Sequence, residues 1–338
     1  MNNTYLVVMA GGIDGRFWPF SRTQHQQFHD VLGVGRSMLQ LTVDRFRGIC
    51  PPENVYVVTN RDYVGLVQQH LPDLAPNQIL GEPIGRNTAP RIAYASYRIA
   101  QRDPQATIIV TPGRPRRAAR RRVSALISAA VAAARANDVL VTLGIHPSRP
   151  DTGYGYIQYL DGLGHRCPAR NCTRSRPSPR SQIWSWPACS VESGDFSLEF
   201  RPVRVAGRRD SAHAFHNYLS DIAEVFDEGA NRVGHRSGRS LHQPRPTRAA
   251  ATLASTYGVM EKADNVYVLP ADFGWSDMGT WDSLHRVGQH DENGNMVNGD
   301  VMLYDTTGCI IKTPRERTGS ECRAWKASSW PSTTTRAA

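Results

Sequence analysis

Residues 5–16 have the sequence Tyr-Leu-Val-Val-Met-Ala-Gly-Gly-Ile-Asp-Gly-Arg, and this stretch decides the fold. Its first six residues form a short apolar run, which is typical of a buried strand. The glycines that follow let the backbone approach an anion closely, and the Arg16 guanidinium adds a fixed positive charge. The pattern indicates a phosphate-binding turn after a strand, and a tight turn without a ligand is the alternative. Neither G-x-G-x-x-G nor G-x-x-x-x-G-K-[ST] is present, so a third kind of nucleotide loop remains.

The segments that follow this stretch alternate between strand and helix patterns. Strands are predicted at 54–59, 78–80, 106–111 and 139–143, and helices at 37–49, 63–71, 87–100 and 124–136. Asn87 or Thr88 is expected to cap the third helix, with Pro90 in its first turn. Such alternation predicts an α/β fold with a doubly wound, mostly parallel sheet that binds ligands at the carboxyl ends of its strands.

Beyond Tyr159 the pattern is interrupted. Order is predicted at 191–196, in a helix over 213–228 and again over 257–283. Residues 299–313 alternate around a turn, which is typical of a β-hairpin or of a β-helix rung. A short β-rich C-terminal part is therefore expected after the α/β domain.

Length and composition limit the class of protein. The 338 residues can hold one large α/β domain or two smaller ones. No apolar run reaches the length of a membrane helix, so we expect no membrane partner. A secretory signal is not apparent and the six cysteines lack paired spacing, which favours a cytoplasmic location.

The formal net charge of +10 is unevenly distributed. Four segments, 113–122, 162–182, 197–210 and 232–250, carry twenty arginines and two acidic residues. The rest of the chain then has 20 basic and 28 acidic residues and is acidic. The charge is thus confined to four islands, and we do not expect a nucleic-acid partner.

Four motifs occur in an order that points to one enzyme family. They are Gly11-Gly12…Arg16-Phe17-Trp18-Pro19, Glu82-Pro83-Ile84-Gly85-Arg86-Asn87-Thr88-Ala89-Pro90, Thr152-Gly153-Tyr154-Gly155-Tyr156-Ile157 and Gly274-Trp275-Ser276-Asp277. With these motifs the chain resembles the bacterial mannose-1-phosphate guanylyltransferases, also called GDP-mannose pyrophosphorylases. The resemblance covers residues 1–112, 123–160 and 255–313 well.

The resemblance implies a nucleotide-diphospho-sugar transferase fold, which is Rossmann-like, and a reaction. GTP and mannose 1-phosphate are the expected partners, GMP is transferred between them, and pyrophosphate is released. Such chemistry depends on charge neutralisation and alignment, because the phosphates carry the reacting groups. A homodimer is compatible with this reading, and sugar-nucleotide transferases of other specificity are the nearest rival.

The resemblance also implies roles for individual residues. It assigns the catalytic charge to Arg16, nucleotide binding to Gly11, Gly12, Glu82, Arg86, Asn87 and Thr88, sugar binding to Gly153, Tyr154 and Gly155, and a Mg²⁺ ligand to Asp277. Simpler roles stay open. Asn87 serves equally well as a helix cap only, Asp277 as a turn residue, and Tyr154 with Tyr156 as ordinary strand aromatics.

The chain departs from the family pattern at sites that matter for phosphate chemistry. Asp14 stands where the family loop has glycine, and residues 25–28, His-Gln-Gln-Phe, lack the family's lysine. Gly113-Arg114 follows a predicted strand where the family has a metal-binding aspartate. We therefore expect weak or no activity, and an inactive relic or a regulatory nucleotide-binding protein is the alternative.

The arginine islands suggest a cause for these departures. Family-like sequence stops abruptly and then resumes in register, as a reading-frame slip would produce; arginine-rich insertions that bind RNA or acidic partners are the rival explanation. We expect residues 1–290 to form the nucleotidyltransferase domain, with the four islands atypical. Residues 291–314 then begin the β-rich part, and residues 315–338 form a loose tail.

Overall fold

The computed structural model describes part of the chain in two compact units. The described residues are 3–11, 28, 35–82, 88–112, 120–137, 139–145, 156–160, 173–176, 196–206, 210–233, 259–260, 262–271, 281, 284–285, 288–299, 301–312 and 320–323. The first unit comprises Met1–Gly11, Thr42–Gly113 and Ala119–Phe273. The second comprises Gly12–Leu41, Arg114–Ala118 and Gly274–Ala338.

The regular elements follow the predicted alternation in the first 145 residues. The strands are β1 (Thr4–Ala10), β2 (Val55–Asn60), β3 (Ile79–Glu82), β4 (Thr107–Pro112), β5 (Leu140–Ile145), β6 (Tyr156–Leu160), β7 (Thr173–Arg176), β8 (Phe196–Ala206), β9 (Val266–Ala271), β10 (Met296–Asn298), β11 (Val301–Tyr304), β12 (Ile310–Lys312) and β13 (Ser320–Arg323). The helices are α1 (Met38–Arg45), α2 (Val64–His70), α3 (Thr88–Arg102), α4 (Arg120–Ala136), α5 (Asp210–Tyr218) and α6 (Ser220–Val233). In the described residues, no helix is long and apolar enough to cross a bilayer.

The first unit is built on a nine-stranded sheet in the order β3-β2-β1-β4-β8-β5-β9-β7-β6. The four strands β3, β2, β1 and β4 are parallel to one another. Strand β8 runs antiparallel to β4, β5 and β6, whereas β5 and β9 pair in parallel. The sheet is therefore parallel in its first half and mixed in its second. This agrees with the predicted α/β fold with a mostly parallel sheet.

Strand β1 is buried on both faces, which explains its unbroken apolar sequence. Tyr5, Val7 and Met9 join one core with helices α3, α5 and α6. Leu6 and Val8, which alternate with them and face the other side, have no exposed surface. A strand covered on both faces shows no polar alternation, as is usual for parallel sheets in α/β folds.

The expectation that order fails from Ser197 to about Asp210 is wrong, because β8 occupies most of that island. This strand is inserted between β4 and β5 in the middle of the sheet. Its register to β5 shifts between Thr142 and Leu143, which pair with Arg204 and Phe200 respectively. Residues 201–203 form the bulge, and Pro202, which has no N–H for a ladder hydrogen bond, lies within it. Pairing on both sides outweighs the unfavourable composition of the segment.

The second unit contains two short parallel pairs near the C-terminus. Strand β10 pairs with β12 and β11 pairs with β13, both in parallel. Parallel partners cannot come from a hairpin, so of the two alternatives for 299–313 the β-helix rung is the one observed. Strand β13 also lies inside the stretch expected to be a loose tail.

A buried asparagine fixes the turn between these rungs. The Asn295 side chain is fully buried, and its amide donates to Asp291 Oδ2 at 3.0 Å and to the Thr306 carbonyl at 2.8 Å. Its Oδ1 accepts from the Cys309 backbone N–H at 3.0 Å. Both N–H donors of this amide and its carbonyl oxygen are thus used within the unit.

Candidate functional site at the carboxyl edge of the parallel strands

Two loops of the sequence motifs begin at the same edge of the parallel half-sheet. Strand β1 ends at Ala10 and β3 ends at Glu82, with β2 between them. The Thr59 hydroxyl of β2 donates to the Ala10 carbonyl at 2.6 Å, and this bond is buried. The last residue of β1 is therefore held laterally by its neighbouring strand just before the glycine turn.

Arg91 joins the two motif loops. It lies in the first turn of α3, and only 8% of its surface is exposed. Its Nε donates to Glu82 Oε2 at 2.5 Å, and its Nη1 donates to the Gly11 carbonyl at 2.8 Å. One guanidinium thus connects the end of β3 with the residue that follows β1, although these lie about 70 residues apart in the chain.

Gly11 is required at its position by this guanidinium. A Cβ atom on Gly11 would lie 2.7 Å from Arg91 Nη1 and 2.9 Å from Cζ. Both distances are shorter than a side chain tolerates, so any residue larger than glycine displaces the guanidinium. The first glycine of the predicted phosphate turn therefore has a packing role in the described structure.

Burial is the main influence on the pKa of the Glu82 carboxyl, which is paired with Arg91. Glu82 is 6% exposed, and its burial raises the pKa of the carboxyl to about 6, while the charge of Arg91 and its hydrogen bond act in the opposite direction. Desolvation is the larger effect. Helix α3 begins at Thr88, one turn before Arg91, so its N-terminal partial positive charge lies at the same edge. A buried carboxylate here is balanced by a fixed cation and a helix N-terminus.

The end of β4 lies beside the glycine turn. Pro112, its last residue, is the register partner of Met9 in β1. The chain therefore leaves β4 next to the start of the Gly11 turn and enters the first arginine island at Gly113.

Only some of the predicted site residues lie within the described part of the structure. The structure brings Gly11 and Glu82 together through Arg91 and places Thr88 at the start of α3. The others lie outside the described residues; they are Gly12, Arg16, Arg86, Asn87, Gly153, Tyr154, Gly155 and Asp277. Their predicted roles stay predictions.

Sequence reasoning missed Arg91 as the connecting residue. It stands among Ala89, Ile92 and Ala93, whose burial gives the helix an apolar face. An arginine on such a face has to find a partner for its charge, because buried charges are rarely left unpaired. The sequence signal that could have identified the pair is Glu82, which stands nine residues earlier at the end of β3.

Metal ligands are not assembled in the described part of the molecule. Among the described residues, no group of three or more histidine, cysteine, aspartate or glutamate side chains is placed to hold a metal ion. The nearby carboxylate, Glu82, already faces a guanidinium. These residues therefore do not fit a divalent-cation site.

Comparison with known proteins identifies relatives that align with 90% of the chain. Residues 5–164 match the family model described as nucleotidyl transferase. The alginate biosynthesis protein AlgA of Pseudomonas putida is 31% identical over 325 residues, covering 90% of this chain and 62% of that protein. A mannose-1-phosphate guanylyltransferase of Salmonella montevideo is 28% identical over 322 residues, covering 90% of this chain and 64% of that protein. The chain thus spans somewhat less than two thirds of these relatives' length.

Solved structures support the fold. A crystal structure from Thermus thermophilus, described as a mannose-1-phosphate geranyltransferase, superposes with a TM-score of 0.79 at 25% identity and covers 96% of this chain and 90% of its own. A mannose-6-phosphate isomerase from Helicobacter pylori superposes with a TM-score of 0.60 at 17% identity, covering 81% of this chain and all of that one. The second likeness concerns the fold alone.

Proposed function

We propose that the chain catalyses, or descends from an enzyme that catalyses, transfer of GMP from GTP to mannose 1-phosphate, since residues 5–164 match the nucleotidyl transferase family model. One observation carries the proposal. The glycine turn after β1 and the Glu82 loop after β3 start from one buried junction at the carboxyl edge of the sheet, built around Arg91. This is the edge where open α/β sheets bind their ligands.

The proposed reaction is a displacement at phosphorus. An oxygen of mannose 1-phosphate forms a bond to the α-phosphorus of GTP, the bond from that phosphorus to the bridging oxygen breaks, and pyrophosphate leaves with the electron pair. The chain's own residues act by binding and alignment, since the phosphates carry the reacting groups. A helix N-terminus and backbone N–H groups after a strand are suited to hold phosphate oxygens.

We assign the remaining roles by the same resemblance. Gly11, Gly12 and Arg16 would hold the triphosphate, and the loop from Glu82 to Thr88 would read the guanine. Residues 153–155 would lie against the sugar. Asp277 would be a ligand for a divalent metal such as Mg²⁺.

An assay for pyrophosphate release tests the proposal. The wild-type chain with GTP and mannose 1-phosphate is expected to turn over weakly at most, and any turnover should release pyrophosphate and form GDP-mannose in equal amounts. Omission of mannose 1-phosphate is the first control, and replacement of GTP by dTTP or ATP, or of the sugar by glucose 1-phosphate, is the second. Equal rates with every nucleotide, or release without the sugar, would contradict the assignment.

Nucleotide binding without turnover is a second candidate function. The observation that favours it is that β4 ends at Pro112, the register partner of Met9, and that Gly113-Arg114 follows in the sequence where the family pattern has an acidic metal ligand. Calorimetric titration with GTP separates the two. Micromolar binding together with no pyrophosphate release would favour the binding protein over the enzyme.

A further inference from the structure

We propose that Arg91 is a positioning residue for the nucleotide loop, and that Glu82 serves this loop by holding Arg91 rather than by contacting the base. The proposal rests on the proposed function for the identity of the ligand. Its structural part, that the guanidinium orients the peptide after β1, stands independently of the reaction.

The first argument is that the guanidinium is held at both ends. Nε is fixed by the Glu82 carboxylate and Nη1 reaches the Gly11 carbonyl at 2.8 Å. Arginine presents these donors in one rigid plane, so fixing one end also fixes the other. A lysine carries its three donors on one nitrogen at the end of a flexible stem, so it does not hold the two acceptors in a fixed plane as the guanidinium does.

The second argument concerns the Gly11 carbonyl, which lies at the start of the predicted phosphate turn. Arg91 Nη1 donates to this carbonyl at 2.8 Å, and the same guanidinium is held by the Glu82 carboxylate. The direction of the Gly11 carbonyl is therefore fixed by a side chain that is itself held in place.

The third argument is close packing. The guanidinium lies against Gly11 so tightly that a Cβ there would meet it at 2.7 Å. Thr59 holds the preceding carbonyl, that of Ala10, at 2.6 Å. Two successive carbonyls at the end of β1 are therefore bound to side chains from two different elements, which leaves the start of the turn little freedom.

The first experiment measures hydrogen exchange and GTP affinity in Arg91→Ala, Arg91→Lys and wild type. In Arg91→Ala we expect faster exchange in the peptide spanning residues 10–16, unchanged exchange in the peptide spanning 64–71, and a GTP dissociation constant raised by roughly tenfold or more. Arg91→Lys is expected to stay impaired. Full rescue by lysine would overturn the bridging role, because charge alone would then suffice.

A double variant with two neutral side chains serves as a control in case Arg91→Ala does not fold. Arg91→Ala leaves Glu82 buried without its partner, which is a common cause of instability. The double variant Glu82→Gln/Arg91→Met removes the bridge and both charges together. It is expected to fold, with faster exchange over residues 10–16 and weakened GTP binding; wild-type values for both would overturn the proposal.

Suppression between two variants tests the packing. Gly11→Ala is expected to weaken GTP binding strongly in the wild-type background and much less in Arg91→Ala, where the guanidinium is gone. Gly65→Ala in α2 is the matched control, since a Cβ there meets nothing within 4 Å and GTP affinity should not change. Equal effects of Gly11→Ala in both backgrounds would contradict the packing argument.

The two proposals fail in different ways. Wild type that binds GTP but releases no pyrophosphate would contradict the enzyme and leave the role of Arg91 supported by exchange and affinity. Unchanged exchange and affinity in the Arg91 variants would contradict the positioning role, whatever the pyrophosphate assay gives. Wild type that binds no nucleotide would contradict both.

Discussion

The two halves of the nine-stranded sheet are assembled by different means. In the parallel half, strands β3, β2, β1 and β4 are linked by backbone ladders and also by buried side-chain bonds at their carboxyl edge, such as that from Thr59 to Ala10. In the mixed half, β8 is inserted antiparallel between β4 and β5 and carries a bulge at residues 201–203. Backbone hydrogen bonds between strands can form with many different side chains, whereas the bonds at the carboxyl edge of the parallel strands need particular side chains.

The difference explains how an arginine-rich segment can occupy the centre of a sheet. Strand pairing constrains the backbone, and the ladder can omit a few residues at a bulge. The junction of Gly11, Glu82 and Arg91, by contrast, depends on one glycine, one carboxylate and one guanidinium. We therefore expect the mixed half to tolerate substitution better at its surface than the parallel half does at its edge.

The largest expected effect is on stability, and it tests whether the parallel and mixed halves of the sheet share one cooperative core. Leu6 in β1 and Leu143 in β5 are at most 1% exposed. Leu6→Ala and Leu143→Ala should each lower the free energy of unfolding by about 2–5 kcal/mol, through lost burial and the cavity that remains. Urea denaturation measures both.

Met302→Ala is the matched control, because Met302 is 59% exposed and should change stability by less than about 0.5 kcal/mol. A Leu143→Ala cost near that of the control, beside a full cost for Leu6→Ala, would show that the mixed half is not part of the cooperative core.

The next effect concerns pH and the buried ion pair of the parallel half. The pKa of Glu82 is raised by burial from 4.5 to about 6 in the folded chain. The folded state therefore binds the Glu82 proton more tightly than the unfolded state does. The contribution of this proton to the free energy of unfolding is fully present below pH 4.5 and is lost as pH rises through 6. The stability of wild type relative to Glu82→Gln should fall by about 2 kcal/mol over that window.

Urea denaturation of both chains at half-unit steps between about pH 4 and pH 7 measures this difference, in which the other titrating groups largely cancel. A difference that is constant with pH would mean that Arg91 cancels the effect of burial on this carboxyl, and one that rises with pH would mean that Arg91 outweighs burial.

A smaller effect compares two buried threonines, one from each half. The Thr59 hydroxyl donates to the Ala10 carbonyl, whereas the buried Thr142 hydroxyl of β5 has no hydrogen-bond partner among the described residues. Thr59→Val should cost about 1 kcal/mol, and Thr142→Val should be neutral or stabilising by up to about 1 kcal/mol. Thermal unfolding of the two variants gives the sign, and equal losses would contradict the contrast.

The smallest effect is local. Residues 201–203 of β8 have no register partner among the described strands, whereas Leu6–Met9 of β1 are paired on both sides. Native-state hydrogen exchange should be faster at Arg201 and Val203 than at Leu6–Met9. Equal protection would mean that the bulge is closed in solution.

Much of the first half of the sheet was predictable from sequence. The predicted strand at 54–59 and the observed β2 at Val55–Asn60 differ by one residue at each end, and the predicted helix at 124–136 begins four residues later than α4. Apolar periodicity determines these elements, because each buries a face against the same sheet. The alternation of strands and helices also predicted ligand binding at the carboxyl ends of the strands, and this is the edge at which β1 and β3 end.

The rest depended on contacts between distant residues. Strand β8 has an unfavourable composition and is formed by pairing with β4 and β5, which no local pattern reveals. Arg91 was passed over because one arginine hardly alters the periodicity of a helix. Its importance comes from two acceptors, at Gly11 and Glu82, that only the folded chain brings within reach.

The central position of β1 has a consequence for synthesis of the protein. Its apolar side chains, buried on both faces in the finished fold, leave the ribosome about 100 residues before β4, which is one of the two strands that pair with β1. Until β4 is made, β1 has one open edge, which is a state in which a nascent chain can associate with others. The strand from which the binding turn starts therefore needs protection from association during translation.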